Sequence, residues 1–173
     1  VVHIDYVSTA LAQTQLMEEN FYNATEPFAI VDVGHITTSV AVAKGEGLVM
    51  LSSFSLGGGH ITADLMQVNN LSYNQADTIK RKVALTIQCK KDERYIAYDS
   101  GQSVSSLIGI TNDVVTARIE NIANVINKVL AVSNEFKDIP VYITGDGICN
   151  FKGVINLLET ILSRKVEVFK SKL

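Results

Sequence analysis

The chain has 173 residues, 47% of them apolar and 19% charged, a balance that builds a hydrophobic core and excludes an intrinsically disordered segment. With 15 Lys and Arg against 18 Asp and Glu the net charge is -3, so neither a nucleic-acid surface nor an acidic tail is expected. No apolar run approaches the roughly 18 residues of a transmembrane helix, and two cysteines, Cys89 and Cys149, make neither a disulfide framework nor a metal cluster, which points to a reducing, cytoplasmic setting.

The chain opens Val1-Val2, has its first methionine at Met17 and shows no signal peptide, so it reads as a piece of a longer protein. Segment 1–4 reads as a short strand. Tyr6–Asn20 reads as a helix, with Val7, Ala10, Leu11, Thr14 and Leu16 along one stripe. After the break at Glu26-Pro27, three β-rich runs follow: Phe28–Val33, Thr37–Ala43 and Leu48–Ser55. The Gly45-Glu46-Gly47 turn joins the last two, which predicts an antiparallel meander closed by Gly57-Gly58-Gly59.

Ile61–Val68 and Gln75–Cys89 read as helices, the second with Ala76, Ile79, Val83 and Ile87 at helical spacing and Cys89 on its inner side. Lys80, Arg81, Lys82, Lys90 and Lys91 are expected on a solvated face. Arg94–Tyr98 reads as a short strand. Ile119, Ile122, Ala123, Ile126 and Leu130 then predict a long amphipathic helix, Arg118–Ala131. Pro140 precedes a strand, Val141–Thr144. The turn Gly145-Asp146-Gly147 leads to a helix at about Phe151–Leu162, and Val166–Phe169 is a last strand. A meander followed by alternating helices and strands predicts an α/β fold with a mixed sheet flanked by helices.

Three segments suit a phosphate-bearing ligand. Asp32-Val33-Gly34 ends a strand and is followed by Thr37-Thr38. Glycine there permits close approach of a ligand, hydroxyls and N–H groups suit phosphate, and the carboxylate suits a Mg²⁺-bound water. The same pattern also serves as a plain hairpin turn. Gly57-Gly58-Gly59-His60-Ile61-Thr62-Ala63-Asp64 puts glycines before a helix start, where free N–H groups suit an anion or a ribose, or where a hinge needs them. Ile143-Thr144-Gly145-Asp146-Gly147 is a strand–turn–helix element of the kind that borders nucleotides in open α/β sheets, and equally an ordinary loop. His3, His35 and His60 show no metal-ligand spacing.

The order of these strings resembles the second half of the actin-like ATPases, and within them most closely the FtsA family of bacterial cell-division proteins. The second phosphate motif of that family, Asp-x-Gly with Thr-Thr, matches Asp32-Val33-Gly34 and Thr37-Thr38. Its Gly-Gly-x-His-Ile-Thr-x-Asp string matches Gly57 to Asp64. Ala76-Asp77-Thr78-Ile79-Lys80 stands for Ala-Glu-x-x-Lys, Arg118-Ile119-Glu120 for Arg-x-Glu, and Thr144-Gly145-Asp146-Gly147 for the adenosine motif Thr-Gly-Gly-Gly.

The resemblance implies a ribonuclease-H-like core at about 1–62 and 105–173, with a small α/β subdomain inserted at about 63–104. It implies ATP-Mg²⁺ bound between this half and a missing N-terminal half, with at most weak ATPase activity in the full-length protein. Asp32 would serve the metal and the attacking water, with Gly34, Thr37 and Thr38 near the phosphates. Gly57, Gly58, Asp77 and Lys80 would lie by the ribose and adenine, and Gly145 and Gly147 on the adenosine side. Filament formation and linkage of an FtsZ-like ring protein to the inner face of the cell membrane through a tail absent here complete that expectation, and the charge balance adds that no nucleic-acid partner is expected. A PilM-type pilus-assembly protein and a degenerate scaffold without nucleotide share the pattern. His35 stands where the family has glycine and is expected to crowd the phosphates. Asp146 replaces a glycine and is expected to weaken nucleotide binding, and Asp77 is one methylene shorter than the usual glutamate.

Overall fold

The computed structural model describes residues 7–20, 26–45, 47–86, 90–99 and 101–169. The strand expected at 1–4 and the inner-face position expected for Cys89 lie outside the described residues. Helix α1 is Thr9–Asn20, followed by β1 Phe28–Val33, β2 Thr38–Lys44, β3 Gly47–Phe54, α2 Gly58–Asn69 and α3 Tyr73–Lys80. Strands β4 Arg94–Asp99 and β5 Gln102–Leu107 precede α4 Ile108–Leu130, β6 Val141–Thr144, α5 Val154–Leu162 and β7 Val166–Val168.

Five strands form one mixed sheet in the order β3-β2-β1-β6-β7. β1 is antiparallel to β2 and parallel to β6, and β6 is parallel to β7. β1 is thus central, and its apolar run Phe28–Val33 is what a strand covered on both faces requires. Ala29, Val31 and Val33 point into the main core with α4 and α5, while Phe28 and Ile30 join Met17 of α1 and Ala43 on the other side. Helices therefore flank both faces. The expected stripe on α1 is shifted: Thr14 and Met17 are buried and Val7 is 55% exposed.

Most helix ends lie within three residues of expectation, α2 for instance starting at Gly58 and not at Ile61, but two boundaries differ by more. α3 stops at Lys80 and does not continue to Cys89, because the next residues find partners elsewhere. Leu85 N–H donates to Lys152 O, and Ala84 N–H donates to the Tyr95 hydroxyl. α4 starts at Ile108, well before Arg118, and runs 23 residues. The β-branched run through Ile110, Thr111, Val114 and Val115 favours strand locally, yet buried Ile108, Thr111, Val115 and Ile119 keep helical spacing against the core, and packing overrides propensity.

The hairpin partner of β4 was not expected from the sequence. β5 reads Gln-Ser-Val-Ser-Ser-Leu, too polar to signal a strand, and forms because Arg94–Asp99 supplies a matched edge, with Gly101 at φ +81° in the turn. Ala76, Ile79, Val83, Tyr95 and Ala97 from this stretch join the same apolar cluster as the large sheet.

Candidate functional site

Alternation along β1 sends Asp32 to the same side as Phe28 and Ile30, toward α1, at the end of the strand beside Thr144 of β6. Its carboxylate is half-buried, and Gln13 Nε2 of α1 donates to Oδ2 at 3.1 Å. Among the described residues Asp32 has no ion-pair partner.

Three glycine-bearing turns meet beneath this carboxylate. Gly147 N–H donates to Val33 O at 2.9 Å, Gly58 N–H to Gly34 O at 2.9 Å and Gly59 N–H to His35 O at 2.6 Å. The approach excludes side chains. A Cβ on Gly58 would lie 2.5 Å from Gly147 Cα, and one on Gly145, whose φ is +91°, would lie 2.5 Å from Asp32 Oδ1. Asp32, Gly34, Gly57, Gly58, Gly145 and Gly147 are thereby brought together from three distant stretches of chain.

The same packing corrects one expectation. The N–H groups at the start of α2 are not free for an anion, because Gly58 and Gly59, its first two residues, donate to the β1–β2 turn and Gly57 N–H donates to His60 Nδ1 at 3.1 Å. Thr37 is exposed, and its carbonyl accepts from Gly34 N–H at 2.9 Å. Thr38 is not brought to the open face. It is fully buried, and its hydroxyl donates to Leu56 O at 2.7 Å. The His35 ring turns aside onto Gly59 and meets Tyr73 edge-on, with centroids 6.5 Å apart.

Lys80 is likewise not on a solvated face; it is 9% exposed. Its Nζ donates to Gly58 O at 3.0 Å and Thr62 Oγ1 at 3.2 Å, tying α3 to the start of α2, with Asp77 Oδ1 at 3.7 Å. Burial pushes the Lys80 ammonium below its ordinary pKa, an effect that Asp77 opposes. Arg81 pairs with Asp77 at 2.8 Å from the solvent side.

Asp77, Lys80 and Arg81 form one wall of a cavity of about 180 Å³, and Asp146, Gly147 and Ile148 with Asn150 and Phe151 form the other. Phe151 offers a narrow strip of apolar surface and Asp77 offers hydrogen-bond acceptors, while Arg81 and Asp146 bring charges of opposite sign to the rim. Asp146 is exposed and accepts from Asn150 Nδ2 at 3.4 Å. Cys149 is free and half-buried, and burial with nearby Asp32 and Asp146 pushes its thiol up to about 11.

Sequence reasoning missed Gln13, Arg81, Ile148, Asn150 and Phe151. Gln13 carried a usable signal, since it lies one helical turn before Met17. The others depend on which loop faces the end of α3, which no local pattern reports.

The family model described as "Cell division protein FtsA" matches residues 29–172. The cell division proteins FtsA of two Staphylococcus epidermidis strains are 25% identical over 143 residues, which is 80% of this chain and 31% of theirs. The chain thus spans about a third of the length of the curated relatives it matches. MreB5 of Spiroplasma citri bound to AMPPNP superposes with a TM-score of 0.70 at 15% identity, covering 91% of this chain and 53% of that one. A PilM-PilN type IV pilus biogenesis complex gives 0.69 at 17%, covering 93% and 41%. The ethanolamine utilization protein EutJ of Carboxydothermus hydrogenoformans gives 0.67 at 19%, covering 95% and 50%. The fold is that of the actin-like, ribonuclease H-like ATPases.

Proposed function

The chain belongs to the FtsA family of cell division proteins, and from that premise we propose that it is the nucleotide-binding half of an actin-like cell-division ATPase. The observation that carries this reading is the meeting of three glycine turns beneath one half-buried carboxylate, beside a cavity between the end of α3 and the 146–151 loop. ATP would place its nucleoside in the cavity between Asp77 and Asp146 and its phosphates toward Gly34 and Thr37. The cavity, about 180 Å³, falls short of the roughly 300–1,000 Å³ of complete ligand pockets. That size suits one side of a cleft whose other side is a second half-domain.

The donor set also fits Mg²⁺. Among the described residues the Asp32 carboxylate receives a neutral amide and no cation, which leaves it available to a hydrated divalent ion. The ion, when bound, would polarise the phosphates, and Asp32 would hold its water. Gly57, Gly58 and Lys80 act by building the cleft wall, with Gly145 and Gly147 lying against Asp32 and Val33. The division into a core at about 1–62 and 105–173 and an insert at about 63–104 belongs to this proposal. So do self-association into filaments, linkage of an FtsZ-like ring protein, and membrane attachment through another part of the protein. Among the described residues no helix is long and apolar enough to cross a membrane.

Calorimetry of the intact protein with ATP and Mg²⁺ tests the reading. Saturable heat is expected, and Asp32→Ala is expected to slow phosphate release while changing stability by no more than about 1 kcal/mol. The 173-residue chain alone is expected to melt cooperatively without turnover, because phosphoryl transfer depends on positioning from both sides. Absence of any saturable nucleotide binding defeats the proposal.

A further inference from the structure

Gln13 belongs to none of the motifs above, yet its side chain makes the hydrogen bond that reaches the Asp32 carboxylate. We infer that Gln13 is a positioning residue for Asp32: its amide fixes the carboxylate in the orientation the cleft uses for a hydrated divalent cation. The cation in this statement rests on the nucleotide reading above; the Gln13–Asp32 bond does not.

The juxtaposition follows from how α1 is registered on the sheet. Met17 is 3% exposed and packs with Phe28 and Ile30 on one face of β1. Asp32 lies two residues beyond Ile30 on that face, about 6.6 Å along the strand. Gln13 lies one turn before Met17, about 5.4–6 Å along the helix. The two steps nearly match, and α1 runs against the direction of β1, so seating Met17 delivers Gln13 to Asp32. Thr14 is 2% exposed and turns its hydroxyl back to Leu11 O at 2.8 Å, so its buried hydroxyl makes no demand that would shift the register.

The carboxylate is held from two sides. Gln13 Nε2 donates to Oδ2 at 3.1 Å, and the Gly145 backbone stands so close to Oδ1 that a Cβ there would lie 2.5 Å away. Free rotation about the carboxylate bond would break the first contact. A neutral amide suits this task better than Lys or Arg, which would neutralise the carboxylate and compete with a cation. Glutamate at the same position would present a second negative acceptor and repel Asp32.

The test has two arms, with melting curves confirming that each variant folds. In amide-resolved nitrogen NMR of the 173-residue chain, the Gln13 side-chain pair is the one that disappears in Gln13→Glu. It is expected to shift on Asp32→Ala. In the intact protein, affinity for an ATP analogue is measured with and without Mg²⁺. Gln13→Ala is expected to cut the magnesium-dependent gain about tenfold, the low end for groups that orient a metal-side carboxylate. Its metal-free affinity is expected to stay unchanged, and Gln13→Glu, identical in shape, is expected to do no better. An amide pair indifferent to Asp32→Ala overturns the inference, as does an undiminished magnesium gain in both variants. If no form binds nucleotide while the amide still reports on Asp32, the nucleotide reading fails and Gln13 stands as the residue that orients Asp32.

Discussion

Arg118 forks onto Asp64, Nε to Oδ2 at 2.7 Å and Nη2 to Oδ1 at 2.9 Å, and so joins α4 to α2. The two residues come from motifs 54 positions apart. Both side chains are about three-quarters covered, which makes the pair more costly to break than an exposed one. Asp64→Ala is expected to lower unfolding free energy by about 1–3 kcal/mol, the range for charge-assisted hydrogen bonds. Arg118→Lys is expected to lose part of this, since an ammonium cannot fork. Urea denaturation of the chain checks both, and an unchanged midpoint for Asp64→Ala would show that the pair is merely superficial.

Thr38 carries a structural hydrogen bond from inside the core. Thr38→Val keeps the shape and leaves Leu56 O without its donor. A loss of about 1–3 kcal/mol in stability is expected, with nucleotide affinity in the intact protein unchanged. Thr38→Ser is expected to recover most of the loss. A large drop in affinity at constant stability would return Thr38 to the phosphates.

Lys80 makes stability depend on pH in a definite direction. Its folded pKa is lowered chiefly by burial, so between that value and 10.5 the unfolded chain binds more protons than the folded one. Stability contributed by this residue therefore rises with pH across the window and is lowest below it. Relative to Lys80→Met, the unsubstituted chain is expected to gain stability as pH is raised toward 10.5. Parallel stability curves for the two forms would contradict this.

Asp146 places a carboxylate on the cavity wall where ATP-Mg²⁺, itself anionic, would approach. Asp146→Gly is expected to tighten ATP binding roughly threefold to tenfold, at most about 1.4 kcal/mol. The gain should shrink as salt rises, because the carboxylate is exposed and screened. Binding that responds to the substitution equally at all salt concentrations would exclude a charge effect.

Cys149 should react slowly. With its thiol pushed up to about 11 by burial first and by Asp32 and Asp146 second, almost none of it is thiolate at neutral pH. In a Cys89→Ser background, iodoacetamide labelling at pH 8 is expected to run at least about 100-fold below a free thiol of pKa about 8.5. Rapid labelling would mean that the 145–151 loop opens readily.

Much of this protein is local. The apolar run Phe28–Val33, the alternation in Leu48–Ser55 and the three glycine strings each declare their structure within a few residues, because strand burial and turn geometry act at that range. Those strings also carried the family. What the tertiary structure alone decided lies where neighbours compete. α3 ends at Lys80 because Ala84 and Leu85 find partners at Tyr95 and Lys152. Ile108–Thr116 is helical because the core accepts its helical stripe, despite a strand-like composition. Lys80 is buried because Gly58 O and Thr62 Oγ1 lie within reach of its ammonium, and Gln13 reaches Asp32 because Met17 seats the helix above it. Hydrogen bonds and apolar contacts between distant segments have no local periodicity, so they become legible only when the chain has closed on itself.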